Sequence, residues 1–227
     1  MVETIQTGLY DPAELFIWTD IDPNYEEDFN QWYEREHMLE RACIPGFVWA
    51  RRYRAHQAPR KYLALYRTKQ LAVFDSPEYQ QAFTQQTQWS LQNFARMRHT
   101  VRRVMSVTAV GRAVGTGAAV ALVALADVQQ AVQAAHEMGA QTPTGVVSMR
   151  ILCPDPQRST PLPSESTQGR VLHPYYVLEG TTLEAVTAAA QQLALNLGLA
   201  ADAVATFQLL WELRTIDIHL QHERSKE

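Results

Sequence analysis

The sequence predicts an α+β protein of two tandem βαββαβ units, the ferredoxin-like arrangement, forming an α/β barrel within one chain or through dimerisation. Three observations predict it. Short β-branched and aromatic runs alternate with segments of helical periodicity in that order. The order occurs twice, at a period of about 110 residues. A small, glycine-bearing stretch from Gly111 to Gly117 divides the two copies, giving units 1–113 and 114–227.

In the first unit, Leu15 to Ile21 reads as a strand closed by the turn Asp22-Pro23. From Tyr25 to Arg41 the pattern is helical: Glu26, Glu27 and Asp28 suit the positive end of a helix, and Phe29, Trp32, Tyr33, Glu36 and His37 follow at spacings of three and four. Pro45-Gly46 ends that segment. Phe47 to Arg54 alternates, with Phe47, Trp49, Arg51 and Tyr53 on one face and Val48, Ala50, Arg52 and Arg54 on the other, where the two arginines read as solvated. Lys61 to Thr68 forms a further strand. Ser76-Pro77 opens a helical region broken near Thr87, and Val101 to Val110 is the fourth strand.

The second unit repeats the order. Its strands are Val120–Ala126, Val146–Leu152, His173–Glu179 and Ala205–Leu213; its helices are Asp127–Met138, capped by Gly139, and Thr182–Leu197, with Thr181-Thr182 as N-cap. The stretch Cys153 to Pro174 carries five prolines and interrupts the pattern, so it is a long loop: a surface excursion or a flap over something.

Composition narrows the function classes. Hydrophobic residues are 46% and charged residues 19% of 227, enough to bury a core. The formal net charge of -4 offers no overall field for nucleic acid. The longest apolar run, Ala118 to Ala126, is under half the roughly 20 residues that span a bilayer, so no membrane partner is expected. Met1 to Tyr10 does not read as a signal peptide, and two cysteines without CxxC spacing, Cys43 and Cys153, fit a reducing cytoplasm better than a disulfide or zinc framework. Gly-rich phosphate loops, HExxH and GxSxG are absent from the sequence. His219 and His222 in the charged tail, and the basic run Arg96, Arg98, Arg102 and Arg103, read as solvated groups rather than a metal or nucleic-acid site.

Chemistry-bearing residues concentrate in the first unit, which holds four of five tryptophans and twelve of seventeen arginines. His37 is the leading candidate, because imidazole titrates near neutrality and can act as acid, base or ligand. Glu36 adjoins it, and Tyr33 and Arg41 lie one helical turn away, where they can fix its tautomer. The alternative is a helix-end histidine bonded to the Pro45-Gly46 turn. Arg51, on an aromatic strand face, needs an anionic or π partner; that partner is either a ligand oxyanion or a structural carboxylate such as Glu36 or Asp20. Trp18 and Asp20 share one strand face, Tyr62 and Tyr66 another, and with Tyr33 and Tyr53 they are candidate walls of an aromatic pocket or simply core.

The run Asp20-Ile21-Asp22-Pro23, the stretch from Phe29 to His37, Glu40-Arg41, Ile44-Pro45-Gly46-Phe47 and Ala50-Arg51-Arg52-Tyr53 together resemble the EthD-like and related dimeric α/β-barrel proteins. In these a helix ending in a Tyr/Trp…Glu-His cluster precedes a Pro-Gly and an arginine-bearing strand. Lys61 to Tyr66 and Ser76-Pro77-Glu78-Tyr79 fit the same pattern. The resemblance covers residues 12 to 110, while the second half matches in element order only. Its members include cofactor-free monooxygenases, lactone isomerases, polyketide cyclases and haem-binding enzymes. The resemblance implies a cofactor-independent enzyme acting on a small aromatic or polyketide-like molecule, with His37 moving a proton and Arg51 facing the developing oxyanion. The alternatives are a non-catalytic small-molecule binder and a haem-binding barrel, as a homodimer or an intrachain pseudo-dimer.

Overall fold

A computed structural model describes residues 11–111, 115–139, 142–162 and 165–218. Met1 to Tyr10, His219 and His222 lie outside the described residues.

The first unit comprises β1 (Ala13–Ile21), α1 (Glu26–Trp32), a π-helical turn (Tyr33–His37), α2 (Met38–Ala42), β2 (Phe47–Gln57), β3 (Tyr62–Thr68), α3 (Pro77–Thr84), α4 (Gln88–Arg96) and β4 (Met97–Ala109). The second comprises β5 (Ala119–Ala124), α5 (Val128–Gly139), β6 (Val146–Pro154), β7 (Tyr175–Gly180), α6 (Leu183–Asn196) and β8 (Val204–Arg214). The helix starts follow their caps: Ser76 accepts from the Tyr79 amide, Thr87 from that of Ser90 and Thr182 from that of Ala185. Thr87 thereby restarts the helix where the sequence predicts a break.

The eight strands close into one antiparallel barrel in the order β1-β3-β2-β8-β5-β7-β6-β4. Each unit contributes four neighbouring strands in the same internal order, 4-1-3-2, and the β2–β8 and β4–β6 pairings join the units. The barrel therefore closes within one chain. Closure removes the edges that a lone four-stranded sheet would present to other chains.

Three apolar layers result. Phe16, Trp18, Tyr53, Leu63, Leu65, Met105, Leu122, Leu152, Val177 and Phe207 fill the barrel interior. Outside it, Leu15, Ile17, Ala50, Tyr62, Ala64 and Tyr66 meet Phe29, Trp32, Tyr33 and Tyr79 of the first-unit helices. On the other side Ala121, Val123, Met149, Ile151, Tyr176 and Leu178 meet the alanine-rich α5 and α6. Both faces of most strands are thus covered, as in sheets wrapped by helices.

Three details depart from the sequence expectation. β4 starts at Met97 rather than Val101, and its His99 has φ 51°, beside a register shift between Trp18 and Asp20 on β1. Gly117, read as linker, is seated against β7: a Cβ there would meet the Gly180 nitrogen at 2.4 Å. The Cys153–Pro174 loop is tied down in its described parts, with Ser159 Oγ accepting from the Val104 amide at 3.0 Å and the Asp155 amide donating to the Val104 carbonyl at 2.8 Å.

Candidate functional site

The helix bearing His37 departs from α-helical winding where the chemistry lies. Residues 33–37 form a π turn, and the Met38 amide donates to the Tyr33 carbonyl, five residues back. Such turns often mark functional positions, because the extra residue re-aims the side chains around it. Here it brings Trp32 and His37, five apart, into a stack with ring centroids 4.2 Å apart and planes 27° from parallel. Edges of Tyr33, Tyr66 and Phe94 complete the box. The alternative reading of His37, a bond to the Pro45-Gly46 turn, is not seen among the described residues.

His37 is 6% exposed, and its Nδ1 is enclosed without a hydrogen bond. Glu40 Oε2 stands 4.0 Å from that nitrogen. Burial, reinforced by the positive charges of Arg41 and Arg52, pushes the imidazole well below its ordinary value of 6.5, so the ring is neutral at pH 7. A neutral imidazole carries a lone pair for a proton, although the burial and cations that keep it neutral also make it a weaker base.

His37 lines a cavity of about 330 Å³ between β1 and β4 on one side and the π turn, α2, α3 and α4 on the other. Leu15, Ile17, Phe83, Leu91, Phe94 and Met97 make it predominantly apolar. Leu162, from the long loop, adds to its lining. Tyr33, Arg41 and Arg102 also line this space. Arg41 donates to Gln86 Oε1 at 3.3 Å, while Arg102 donates to the Tyr79 hydroxyl at 2.9 Å and to the carbonyls of Arg158 and Thr160. An apolar cleft with a few convergent polar groups is the usual form of a small-molecule site.

The sequence-derived candidates divide between two places. His37 and Tyr33 line the cavity, and Tyr66 packs on His37 from β3. Burial raises the hydroxyls of Tyr33 and Tyr66 above the ordinary phenol value of 10.0, so both are neutral proton donors. Tyr62 sits at the far end of that layer, donating to Glu26 Oε1 at 2.5 Å and stacking under Arg52, whose guanidinium carbon lies 4.6 Å above its ring. Glu36 is turned from His37: it accepts from Trp32 Nε1 at 3.2 Å, Thr87 Oγ1 at 2.5 Å and Ser90 Oγ at 3.2 Å, tying α1 to the start of α4.

Arg51, Tyr53 and Trp18 face the barrel interior, on the other side of the sheet from His37. Arg51 meets Glu179 Oε1 and Oε2 at 2.9 and 3.0 Å and Glu212 Oε2 at 2.5 Å, and stacks 3.9 Å over Trp49. Its carboxylate partners come from β7 and β8, not from Glu36 or Asp20. Arg150 joins Glu179 to Glu14, and Arg67 also pairs with Glu14. Burial alone would raise Glu14, but Arg150 and Arg67 outweigh it and hold the carboxyl below its usual 4.5. Tyr53 is fully buried with its hydroxyl unpaired, and Trp18 Nε1 donates to the Arg60 carbonyl at 3.2 Å. Asp20, at the barrel end, accepts from the Lys61 amide at 2.8 Å and faces His99 Nδ1 at 3.2 Å.

Arg52, Arg102 and Arg103 were expected in solvent and are instead 1%, 3% and 5% exposed. Arg52 lies 4.1 Å over Tyr33 and donates to Asn30 Oδ1 at 2.7 Å. Their burial follows from their place in strands whose two faces are both covered, by the barrel interior and by the outer helices and loop. Among the described residues no group of three or more His, Cys, Asp or Glu is placed to hold a metal, and no helix is long and apolar enough to cross a membrane.

Fold and site define a closed, single-chain α/β barrel of ferredoxin-like halves with an apolar cavity under the first-half helices. No family model matches the sequence, and no curated protein matches it. Solved structures do share the fold. An anthrone oxidase-like protein superposes with a TM-score of 0.58 at 12% identity, over 91% of this chain and 94% of the other. A candidate monooxygenase from Lactobacillus acidophilus gives 0.55 at 8%, over 90% and 97%, and one from Fusobacterium nucleatum 0.53 at 8%, over 90% and 95%.

Proposed function

We propose that the protein is a cofactor-independent enzyme that removes a proton from a small aromatic or polyketide-like molecule held in the His37 cavity. The observation that carries this reading is a buried, neutral imidazole among the residues lining an apolar space that Arg41 and Arg102 also line. His37 accepts a proton from an acidic C–H or phenol of the bound molecule. The enolate or phenolate left behind is stabilised by the Arg41 and Arg102 guanidinium groups. Cyclisation, isomerisation and oxygenation of such molecules can all begin with this step. The name of one structural neighbour, an anthrone oxidase-like protein, agrees with that substrate class, and those of two candidate monooxygenases agree with oxygenation as one outcome. Arg51, assigned to the oxyanion on sequence grounds, is replaced in this role because the sheet separates it from His37.

The test uses anthrone in D2O and follows deuterium entry at its acidic methylene by mass spectrometry. The wild-type chain accelerates exchange, and His37→Phe, which keeps the stack on Trp32, loses about 100-fold or more of it. Equal exchange by both proteins would overturn the assignment. Tight binding without exchange identifies a carrier instead. A haem would need the 330 Å³ cavity to widen, and a Soret band after incubation with haem would establish that reading in its place.

A further inference from the structure

The barrel mouth opposite the Arg51–Glu179 network holds a second cavity, of about 390 Å³. It lies on the interior side of the sheet, across β4 from the His37 site: Arg102 lines one cavity and its neighbour Arg103 the other. Its floor is Val101 and Tyr175, whose ring stacks on Phe16 with centroids 5.1 Å apart.

Charge is unbalanced here. Arg60, Arg103 and Arg170 line the cavity, and among the described lining residues Glu165 is the one carboxylate. Arg103 and Arg170 share a single oxygen of it, at 2.5 and 2.8 Å. Their remaining bonds go to carbonyls, those of Arg102 and Val171 for Arg103 and those of Ser159 and Arg102 for Arg170. Among the described residues Arg60 has no carboxylate partner: its Nε donates to the His99 carbonyl at 2.5 Å and its guanidinium lies 5.1 Å over Trp18. Carbonyls satisfy the N–H groups but do not cancel charge. Burial holds the Arg103 guanidinium below its usual value despite Glu165 beside it.

Backbone geometry adds a second observation. His99 adopts a left-handed φ of 51° next to the β1–β4 register shift, which turns its ring to the rim, where it is held by Asp20. Strained backbone and bulges recur where a side chain is aimed at a ligand. His173 reaches the same rim and shares its Nδ1 contact with the Leu125 carbonyl.

We propose that this mouth cavity binds the carboxylate or phosphate of a small organic anion whose apolar part rests on Val101 and Tyr175. Two guanidinium charges beyond what Glu165 neutralises await an anion, and planar guanidinium groups recognise both oxyanions through paired N–H donors.

Calorimetric titration of the whole chain with phenyl phosphate and with benzoate at low ionic strength tests this. At least one probe saturates, its affinity falls with added salt, and it falls about tenfold or more in Arg60→Gln and Arg170→Gln. The ratio of the two affinities tells phosphate from carboxylate. Arg60→Gln guards against misfolding effects, since Arg60 is partly exposed and holds no carboxylate. Ile17→Phe, which narrows the His37 cavity, leaves this binding intact. Failure of both probes to bind, or equal binding by Arg60→Gln, would overturn the proposal.

Discussion

Arg51 and Arg52 are adjacent on β2, yet their guanidinium groups lie on opposite faces of the barrel wall and have partners of different kinds. Arg51 meets the carboxylates of Glu179 and Glu212 inside the barrel, whereas Arg52 lies over the rings of Tyr33 and Tyr62 outside it. The inner cluster holds Arg51, Arg67 and Arg150 against Glu14, Glu179 and Glu212, equal in charge. Glu179 is its centre, since it bonds Arg51, Arg150 and the Gly117 amide.

Removing that centre leaves two buried guanidinium groups with one carboxylate each. Glu179→Leu is expected to cost about 3–5 kcal/mol in urea unfolding, the range for breaking a buried pair from one side. Arg51→Met is expected to cost less, because Glu179 keeps Arg150 and Glu212 is 19% exposed. Neither change reaches the His37 cavity, so cavity binding by folded Arg51→Met stays at the wild-type level. A loss of cavity binding in Arg51→Met would show that the sheet does not insulate the two sites.

Two buried groups, His37 and Glu14, contribute to the pH dependence of stability with the same sign. His37 has a folded value well below 6.5, so its neutral form is favoured by folding. That contribution is present above pH 6.5 and is lost as pH falls below it, because the unfolded chain takes up a proton that the folded chain refuses. The slope in this window approaches about 1.4 kcal/mol per pH unit for one group. Glu14 also lies below its unfolded value, 4.5, so its stabilisation is present above pH 4.5 and is lost as pH falls through its folded value. Chemical unfolding at pH 7, 6 and 5 checks the first window: wild type weakens, and His37→Phe weakens distinctly less. Parallel curves for the two proteins would show that His37 protonates freely in the fold.

The fold was legible because its signals are local. Alternation in β2, the acidic first turn of α1 and the hydroxyl caps at Ser76, Thr87 and Thr182 each act within a few residues. The site was legible only in its local part. His37 stood out by residue type, but its stack on Trp32 depends on a π turn, and α-helical spacing of three and four pointed to Tyr33 instead. Arg51's partners come from β7 and β8, 128 and 161 residues further on, beyond any periodic pattern. Arg52, Arg102 and Arg103 were misread for one reason. Alternation assigns one strand face to solvent, but a barrel wrapped by helices and by the 155–174 loop leaves little solvent face at these positions.

Ile17 provides the most direct check that the cavity, rather than the histidine alone, matters. It pairs with Ala64 on β3 and with Arg102 on β4, and its side chain lines the space beside His37. Ile17→Phe adds a ring to an apolar void of about 330 Å³ while leaving His37, Arg41 and Arg102 in place. The void is large relative to the added carbons, so stability is expected to hold or rise, by up to about 1 kcal/mol. Binding of anthrone, followed by fluorescence titration against the five tryptophans, is expected to weaken about tenfold or more. His37→Phe changes no more than a ring of similar size and keeps most of that affinity while losing exchange. If Ile17→Phe binds as wild type does, the ligand lies elsewhere and the His37 cavity is not its site.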